Sequence, residues 1–297
     1  MNYRTFIKLY LKKQLLTYID VGAADNISRR WGKIKKNLNF IGFEPNSKEY
    51  KKIHNNDFGK FNIYNFALGN INNIKKINIL KSEFASSFLL PNYKNLKQFS
   101  NHQRFQIKHT SNIKVKKLDS LKLKKADFIK IDTQGYNLEV LKGSSKTLNQ
   151  LIGVEIETEF FRIYKNQKLF EDTKKYLEKK NFEFINFYNL RRWSSFKDYN
   201  YGRVIFCNSL FLKKLNLQDF KNKELIIKYT VICILYNNID LAHNIILKSS
   251  FSEADKLKIT NFLKKLNKKN YLTKIFVSIF NRLSRILKKE TELYPTF

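Results

Sequence analysis

The chain has 297 residues, 43% of them hydrophobic, which is enough to bury an α/β core and leave room for a second small module. Its composition excludes collagen-like, disulfide-rich and broadly disordered proteins. The two cysteines, Cys207 and Cys233, stand far apart, so we expect reduced thiols in the cytoplasm and no zinc ribbon. The basic N-terminus has no uninterrupted apolar segment, and the apolar residues 225–236 are too few to span a bilayer, so we predict a soluble protein without a signal peptide.

The formal net charge of +32 has two explanations that the sequence leaves open. A strongly basic chain can face nucleic acid or an anionic membrane. Lysine is accompanied here, however, by abundant Asn, Ile, Phe and Tyr and by few Gly and Pro, and it is spread along the whole chain. These are residues of A/T-rich codons, so drift in genome composition combined with a solvated surface is the other explanation.

Hydrophobic periodicity predicts alternating helices and strands at the start of the chain. We expect strands at residues 17–22, 39–44 and 61–68, and helices at residues 2–16, 27–38 and 47–54, the last of them capped by Ser47. This alternation at short spacing is typical of a parallel, doubly wound α/β sheet with right-handed crossovers.

The following residues predict the rest of the sheet. Apolar and polar residues alternate over 74–80, which predicts an edge strand. Residues 82–112 are polar and predict a long, irregular insert that is functional or mobile. A strand ends at Asp132, and a turn at Gly135 leads into a helix. Further elements are a strand at 151–159, a helix at 169–180, a strand at 182–188 and a final strand at 203–212.

Beyond residue 215 the pattern is helical. We therefore divide the chain into a domain over residues 1–215, which includes the N-terminal helix and the insert, and a helical extension over residues 216–297. Residues 271–289 predict a basic amphipathic helix. Such a helix either packs on protein or lies on an anionic membrane, which would place the protein at the inner face of the membrane.

Acidic residues stand where the predicted strands end. They are Asp20, Glu44, Asp132, Glu155 and Glu157. In an open α/β sheet, ligands bind outside the carboxyl ends of the strands, and a buried carboxylate is costly unless it is paired or hydrogen-bonded. Several acids at one edge therefore indicate a cation or a ligand rich in hydroxyl or amino groups.

The turn after the first strand, Gly22-Ala23-Ala24-Asp25, contains a single glycine. It lacks the G-x-G-x-x-G pattern that lets the backbone approach a pyrophosphate, and its flanking acids would repel phosphate. A cofactor with an amino group and no phosphate, such as S-adenosylmethionine, suits this turn better. Glu44 follows at the spacing expected of an acid that binds ribose hydroxyls. Asp25 either touches the cofactor or caps the next helix.

These motifs resemble the FkbM family of S-adenosylmethionine-dependent methyltransferases. The resemblance covers about residues 16–212 and rests on YIDVGAADN, IGFEPNSKEY, NFALGN, SSFLLP, VKKLDSL, FIKIDTQGYNLEVLKGS and the segment from GVEIETEFF to GRVIFCNSLFL. It implies a Rossmann-like, seven-stranded methyltransferase sheet whose last strand is antiparallel. It also implies O-methylation of a hydroxyl on a sugar, a glycan or a secondary metabolite, for instance in polysaccharide biosynthesis.

Carried onto this chain, the motifs place the cofactor at Asp20, Gly22, Ala23, Asp25, Glu44, Pro45, Ala67, Leu68, Ser87 and Asp132. Ser87 either faces a ligand or belongs to a capping pair. Gln134 and Asn137 stand where the family often has Glu, which removes up to two negative charges from one strand end. Asp132 and Gly135 match the family pattern.

A hydroxyl loses its proton when it is methylated, so a base assists the reaction. Asp132 is the first candidate for this base, and its alternative role is to cap the following helix. Glu155 and Glu157 could share the catalytic role. The pattern permits a divalent cation between these carboxylates without requiring one, and we assign no metal ligand.

The candidates for binding the acceptor lie in the insert and after the later strands, and each has a structural alternative at the surface or in the core. They are Gly135, Tyr136, His102, His109, Arg162, Tyr164 and Trp193. We expect a small-molecule or glycan acceptor, and the sequence does not indicate an oligomeric state.

Two other functions remain open. The charge favours RNA methylation, although no RNP or KH pattern is present and we expect no nucleic-acid partner. The loss of two acids at Gln134 and Asn137 favours a non-catalytic module that keeps the methyltransferase fold.

Overall fold

The structure is a computed structural model that describes residues 3–11, 14–24, 27–54, 57–196, 199 and 201–268. The chain groups into two compact units, residues 13–215 and residues 1–12 with 216–297. The first twelve residues thus group with the C-terminal helices and not with the sheet, contrary to the grouping expected from the sequence. As a statement about folding domains, the division at residue 215 stays a prediction.

Ten strands are present in the described part of the larger unit. They are β1 (Leu16–Val21), β2 (Leu38–Phe43), β3 (Lys60–Tyr64), β4 (Ala67–Leu68), β5 (Asn73–Leu80), β6 (Ile107–Lys116), β7 (Phe128–Ile131), β8 (Gly153–Glu159), β9 (Phe182–Trp193) and β10 (Arg203–Lys213).

Seven of these strands form the main sheet, in the order β3-β2-β1-β7-β8-β10-β9. Strands β3, β2, β1, β7 and β8 pair in parallel, and β10 is antiparallel to both of its neighbours. The predicted fold class, a doubly wound seven-stranded sheet with the last strand antiparallel and a helical C-terminal region, is confirmed. All six residues of β1 and all seven of β8 are buried, because elements cover both faces of a parallel sheet.

The helices are α1 (Tyr3–Phe6), which continues as a π-helical segment (Ile7–Leu11), α2 (Arg29–Gly32), α3 (Ser47–Lys52), α4 (Tyr93–Leu96), α5 (Asn137–Gly143), α6 (Phe170–Glu178), α7 (Lys223–Leu235), α8 (Ile239–Lys248) and α9 (253–268).

Two predicted helices are shorter than expected. Of the helix expected over 2–16, the described residues show Tyr3–Leu11, and Leu16 already belongs to β1. The helix expected over 27–38 is reduced to α2 and a 3₁₀ turn. The cap of α3 is also different from the prediction: Asn46, not Ser47, accepts a hydrogen bond from the backbone N–H of Lys48 at 3.0 Å.

A second, three-stranded sheet in the order β4-β6-β5 replaces the predicted edge strand. The expectation that residues 74–80 extend the main sheet is wrong, because the chain returns as β6 and pairs with β5 instead. The insert is not an irregular loop either. It contains α4, and its apolar residues Leu96, Phe99 and Phe105 pack with Tyr164 and Trp193 in a core cluster of their own.

The described part of the smaller unit contains the N-terminal helical segment and α7, α8 and α9. Phe6 stacks on Phe262 with ring centroids 5.0 Å apart, and the Tyr10 hydroxyl donates to Asp255 Oδ1 at 3.5 Å. Across the described ranges, every helix is too short or too polar to cross a membrane. The amphipathic helix predicted over 271–289 lies outside the described residues, so its role stays a prediction.

Candidate functional site

Because β1, β2, β7 and β8 are parallel, their carboxyl ends meet at one edge of the sheet, and the predicted acids lie at or just before this edge. Their side chains are largely withdrawn from water. The relative exposure is 3% for Asp20, 5% for Glu44, 3% for Glu155 and 7% for Glu157. Such burial requires a partner for each charge, and the partners divide the edge into two halves.

The Gly22 turn forms the floor of the first half. The backbone N–H groups of Gly22 and Ala23 both donate to the carbonyl oxygen of Phe43, at 3.0 and 3.2 Å, which fixes the turn to the end of β2. Gly22 has a φ of +81°, and a Cβ atom there would overlap the carbonyl oxygen of Asp132. The glycine is therefore required by its conformation and by the close approach of a second strand end.

Glu44 stands directly after β2 beside this turn. Its Oε1 accepts a hydrogen bond from the N–H of Asn46 at 2.7 Å. The side-chain amide of Asn65 donates to the carbonyl oxygens of Glu44 and Pro45, at 2.8 and 3.2 Å, and holds the Glu44-Pro45 turn in place. Burial raises the pKa of Glu44 to about 7, against the opposing effect of the N–H groups of Asn46 and Ala24.

Asp20 lies one row deeper in the sheet, level with Lys130 of β7 and Glu155 of β8. Lys130 Nζ is 3.4 Å from Asp20 Oδ1. Glu155 has separate partners: Asn208 Nδ2 donates to its Oε1 at 2.8 Å, and Arg30 Nη1 lies 3.5 Å from its Oε2. Glu155 is thus held inside the sheet and not at its edge.

The charges in this row offset one another. Burial raises the pKa of Asp20 to about 6, while Lys130 acts in the opposite direction. Burial alone would lower the pKa of Lys130, but the carboxylates of Asp20, Asp132 and Glu155 outweigh it and the pKa is raised. Lys130 thus lies beneath the edge as the ion-pair partner of Asp20.

Asp132 and Glu157 form the second half of the edge. Each lies one residue beyond the last pair of β7 and β8, Ile131 opposite Ile156. Gln134 Nε2 donates to Asp132 Oδ1 at 2.9 Å and to Glu157 Oε1 at 3.3 Å, so one amide bridges both carboxylates. The alternative in which Asp132 caps a helix does not hold, because α5 begins at Asn137 and its cap position is Tyr136.

This half is crowded by like charges. Burial, together with Asp132 and Glu159, raises the pKa of Glu157 well above its usual value. Burial and Asp132 raise the pKa of Glu159 to about 8, while Gln167 opposes the shift. Burial and the nearby Glu157 likewise raise the pKa of Tyr164, whose hydroxyl donates to the carbonyl oxygen of Ala85 at 2.7 Å.

The insert is tied to this half of the site. The Ser87 hydroxyl donates to the carbonyl oxygen of Gln134 at 2.6 Å and accepts from the N–H of Leu89 at 3.1 Å, so it is engaged in the structure of the insert. Gly135 has a φ of +83°, and a Cβ atom there would lie 2.9 Å from the ring of Tyr164.

The other predicted acceptor residues are less close to the carboxylates. Tyr136 packs on Phe88 and accepts from Lys75 Nζ at 3.3 Å. Trp193 is in the core cluster of the insert, with the guanidinium of Arg104 4.5 Å from its ring. The remaining side chains are on the insert and on the surface: His102 in a 3₁₀ turn, with Nδ1 2.9 Å from Phe99 O, and the exposed His109 and Arg162.

Of the predicted cofactor residues, Ala67 and Leu68 form β4 and are buried, with Leu68 in the core of the larger unit. Asp25 lies outside the described residues. The sequence reasoning missed Lys130, Arg30 and Asn65. A lysine inside the otherwise apolar β7 was the available signal for Lys130, whereas the other two act through contacts between distant elements.

The donor set fits S-adenosylmethionine better than a metal or a phosphate-bearing cofactor. In the described part of the chain, no group of three or more His, Cys, Asp and Glu side chains is arranged to hold a metal ion. At the first turn, the N–H groups of Gly22 and Ala23 are used by Phe43 and are not available to cradle a phosphate. The carboxylate of Glu44 remains as an acceptor for hydroxyl groups.

Comparison with known proteins yields one family match. A model of the methyltransferase FkbM domain matches residues 20–184. No curated protein sequence matches the chain.

Solved structures are similar only at low identity. A methyltransferase FkbM from Methylobacillus flagellatus KT is 15% identical with a TM-score of 0.39, and the match covers 70% of this chain but 47% of that one, about half its length. TrmK of M. capricolum, in complex with S-adenosyl-homocysteine, is 13% identical with a TM-score of 0.31, covering 91% of this chain and 97% of that one. A putative tRNA (m1A22) methyltransferase of Streptococcus pneumoniae is 10% identical with a TM-score of 0.32, and the match covers 90% of this chain and 99% of that one.

Proposed function

Because the chain belongs to the FkbM methyltransferase family, we propose that it transfers a methyl group from S-adenosylmethionine to a hydroxyl of a sugar, a glycan or a secondary metabolite. The observation that carries the proposal is the juxtaposition of two different carboxylate groups at one sheet edge. Glu44 stands beside the Gly22 turn, and Asp132, whose backbone contacts Gly22, stands beside Glu157.

Glu44 would hold the cofactor through its ribose. The N–H of Asn46 orients the carboxylate, and its remaining lone pairs can accept hydrogen bonds from two neighbouring hydroxyls. The Gly22 turn would lie under the amino acid end of the cofactor. S-adenosylmethionine supplies, when it is bound, a methyl group that is activated by its sulfonium charge.

Asp132 would hold the acceptor hydroxyl and take its proton as the new O–C bond forms. The bond from Gln134 fixes the Asp132 carboxylate, and the correct alignment of reacting atoms is the main demand of a methyl transfer. Apolar residues of the insert pack against Tyr164, whose hydroxyl lies 3.4 Å from Gln134 Oε1.

The chemistry of the second half supports a hydroxyl-rich acceptor. The half-buried Asp132 carboxylate, held by the Gln134 amide, can accept a hydrogen bond from a hydroxyl of a sugar. A phosphate-rich acceptor such as RNA would meet acids here and not cations.

The test is calorimetric titration of the full chain with S-adenosylmethionine and S-adenosylhomocysteine, comparing wild type with Glu44→Gln. We expect wild type to bind both compounds, and we expect Glu44→Gln to bind about tenfold more weakly or worse, because it loses a charged acceptor. Glu178→Gln, the same change on the exposed face of α6, is the matched control and should bind normally.

A transfer assay with methyl-labelled S-adenosylmethionine and a panel of glycosides, small hydroxyl compounds, tRNA and peptides then identifies the acceptor class. Label in a glycoside or small hydroxyl compound supports the proposal. Failure to bind either cofactor form overturns it, and label that enters only tRNA or peptide overturns the acceptor.

A further inference from the structure

Two side-chain amides, those of Gln134 and Asn137, lie among the acids at the ends of β7 and β8, and both donate to Glu157. Gln134 Nε2 reaches Glu157 Oε1 at 3.3 Å as well as Asp132 Oδ1 at 2.9 Å. Asn137 Nδ2 donates to the carbonyl oxygen of Glu157 at 2.9 Å. A carboxylate at either position would have no N–H to donate and would add a negative charge beside two others.

The loop that carries Gln134 is held from several directions. The Ser87 hydroxyl binds its carbonyl oxygen at 2.6 Å. The N–H and the hydroxyl of Thr133 both donate to Asn137 Oδ1, at 2.8 and 2.7 Å, and this closes the loop onto α5. Gln134 therefore has little freedom to move away from the acids.

The backbone of Gln134 is itself strained. Its φ of +49° lies in the left-handed region, where a residue with a side chain costs about 1 kcal/mol or more relative to ordinary conformations. In this conformation the amide reaches both Asp132 and Glu157.

We propose that Gln134 is a positioning residue for methyl transfer, whose amide bridges Asp132 and Glu157 and fixes the Asp132 carboxylate toward the acceptor hydroxyl. The inference rests on the proposed function, because it assigns Asp132 the role of base. Without the bridge, the two carboxyl groups repel each other and the Asp132 carboxylate loses its orientation.

The first test compares Gln134→Met and Gln134→Glu with wild type in the full chain, using the acceptor identified by the panel. Gln134→Met keeps the size of the side chain and removes the bridge, so we expect kcat to fall about 10- to 100-fold, with little change in KM for S-adenosylmethionine. Gln134→Glu adds a like charge, so the acid limb of its pH–rate profile should also move up by about one pH unit. The exposed Gln150→Glu makes the same charge change and is the control.

The second test does not need an acceptor. Carbon NMR of protein labelled at the Glu side-chain carboxyl groups, with Glu157→Gln used for assignment, follows the titration of Glu157. Both Gln134 variants should raise the pKa of Glu157 relative to wild type, since one loses a donor to its charged form and the other gains a repelling charge. Thermal denaturation identifies a variant that fails to fold, in which case the other variant decides the result.

The outcomes separate the two proposals. A normal kcat in Gln134→Met, or a Glu157 titration that is unchanged in both variants, overturns the positioning role while leaving the proposed function intact. A wild-type protein that binds no S-adenosylhomocysteine overturns the proposed function, and the positioning role falls with it.

Discussion

The two halves of the strand-end site bury their acids with different partners. In the first half, which we propose holds the cofactor and call the cofactor half, Asp20 is paired with the cation of Lys130, and Glu155, level with Asp20, is paired with Arg30. In the second half, which we propose holds the acceptor and call the acceptor half, the Asp132 and Glu157 carboxylates accept hydrogen bonds from the neutral amide of Gln134. A cation in direct contact neutralises a buried carboxylate, whereas an amide orients it and leaves its charge to be offset from a greater distance, here by Lys130. This difference agrees with the proposed roles, binding in the first half and proton transfer in the second.

The largest expected effect separates the halves by function. Asp132→Asn preserves the shape of the side chain and removes the proposed base, so turnover should fall at least about 100-fold. Its affinity for S-adenosylhomocysteine should stay within about threefold of wild type, since Glu44 and the Gly22 turn are untouched. Calorimetry and initial rates measure both, with the exposed Asp57→Asn as control. An Asp132→Asn enzyme with wild-type turnover rules out Asp132 as the base.

The next effect removes the cation that distinguishes the cofactor half. Lys130→Met leaves Asp20 buried without its ion-pair partner, so the free energy of unfolding should fall by about 3 kcal/mol. Lys52→Met, which breaks an exposed pair with Glu49, should change it by less than about 0.5 kcal/mol. Urea denaturation of the full chain gives both values. If Lys130→Met and Lys52→Met lower the free energy of unfolding by the same amount, Lys130 does not stabilise the buried Asp20 carboxylate.

The last effect tests, through pH, the concentration of negative charge around Asp132, Glu157 and Glu159. The pKa of Glu159 is raised from 4.5 to about 8 in the folded protein, so the native state keeps a proton that the unfolded chain has lost. Stability should therefore fall as pH rises through this range, with a slope of up to about 1.4 kcal/mol per pH unit from this group.

The Glu159→Gln variant lacks this contribution of Glu159 to the change of stability with pH. The variant should gain stability relative to wild type as the pH rises from 5 to 8, in urea denaturation at several pH values. Glu178→Gln, at an exposed position of α6, should follow wild type at every pH. If the free energy of unfolding changes with pH in the same way for wild type and Glu159→Gln, the surroundings of Glu159 do not hold it in its protonated form.

The sequence predicted the main sheet because its strands are short apolar runs that alternate with helical patterns. It could not place β5, since the alternation of residues 74–80 fits an edge strand of either sheet and only the return of β6 decides. The acids at the strand ends were predicted, but the partner of Asp20 was not. Pairing across strands depends on register, which brings Lys130 level with Asp20 although 110 residues separate them.

The role of Asp132 illustrates the same limit. Its position before a helix favoured a base and left a cap as the alternative. The positive φ angles of Gln134 and Gly135 delay the start of α5 to Asn137, and this removes the alternative. A local backbone conformation, which a pattern of residue types does not specify, excludes the cap, and the base stays a proposal.

The contact of Gly22 with Asp132 has a consequence for how this chain tolerates mutation. Glycine codons are rich in G and C, and the composition of the chain suits A/T-rich codons, with only nine glycines retained. At eight of these nine, an added Cβ atom would come within 3.0 Å of another atom. These eight glycines mark places where the fold has little spare volume. At Gly22 that volume lies between the end of β1 and the backbone of Asp132 after β7.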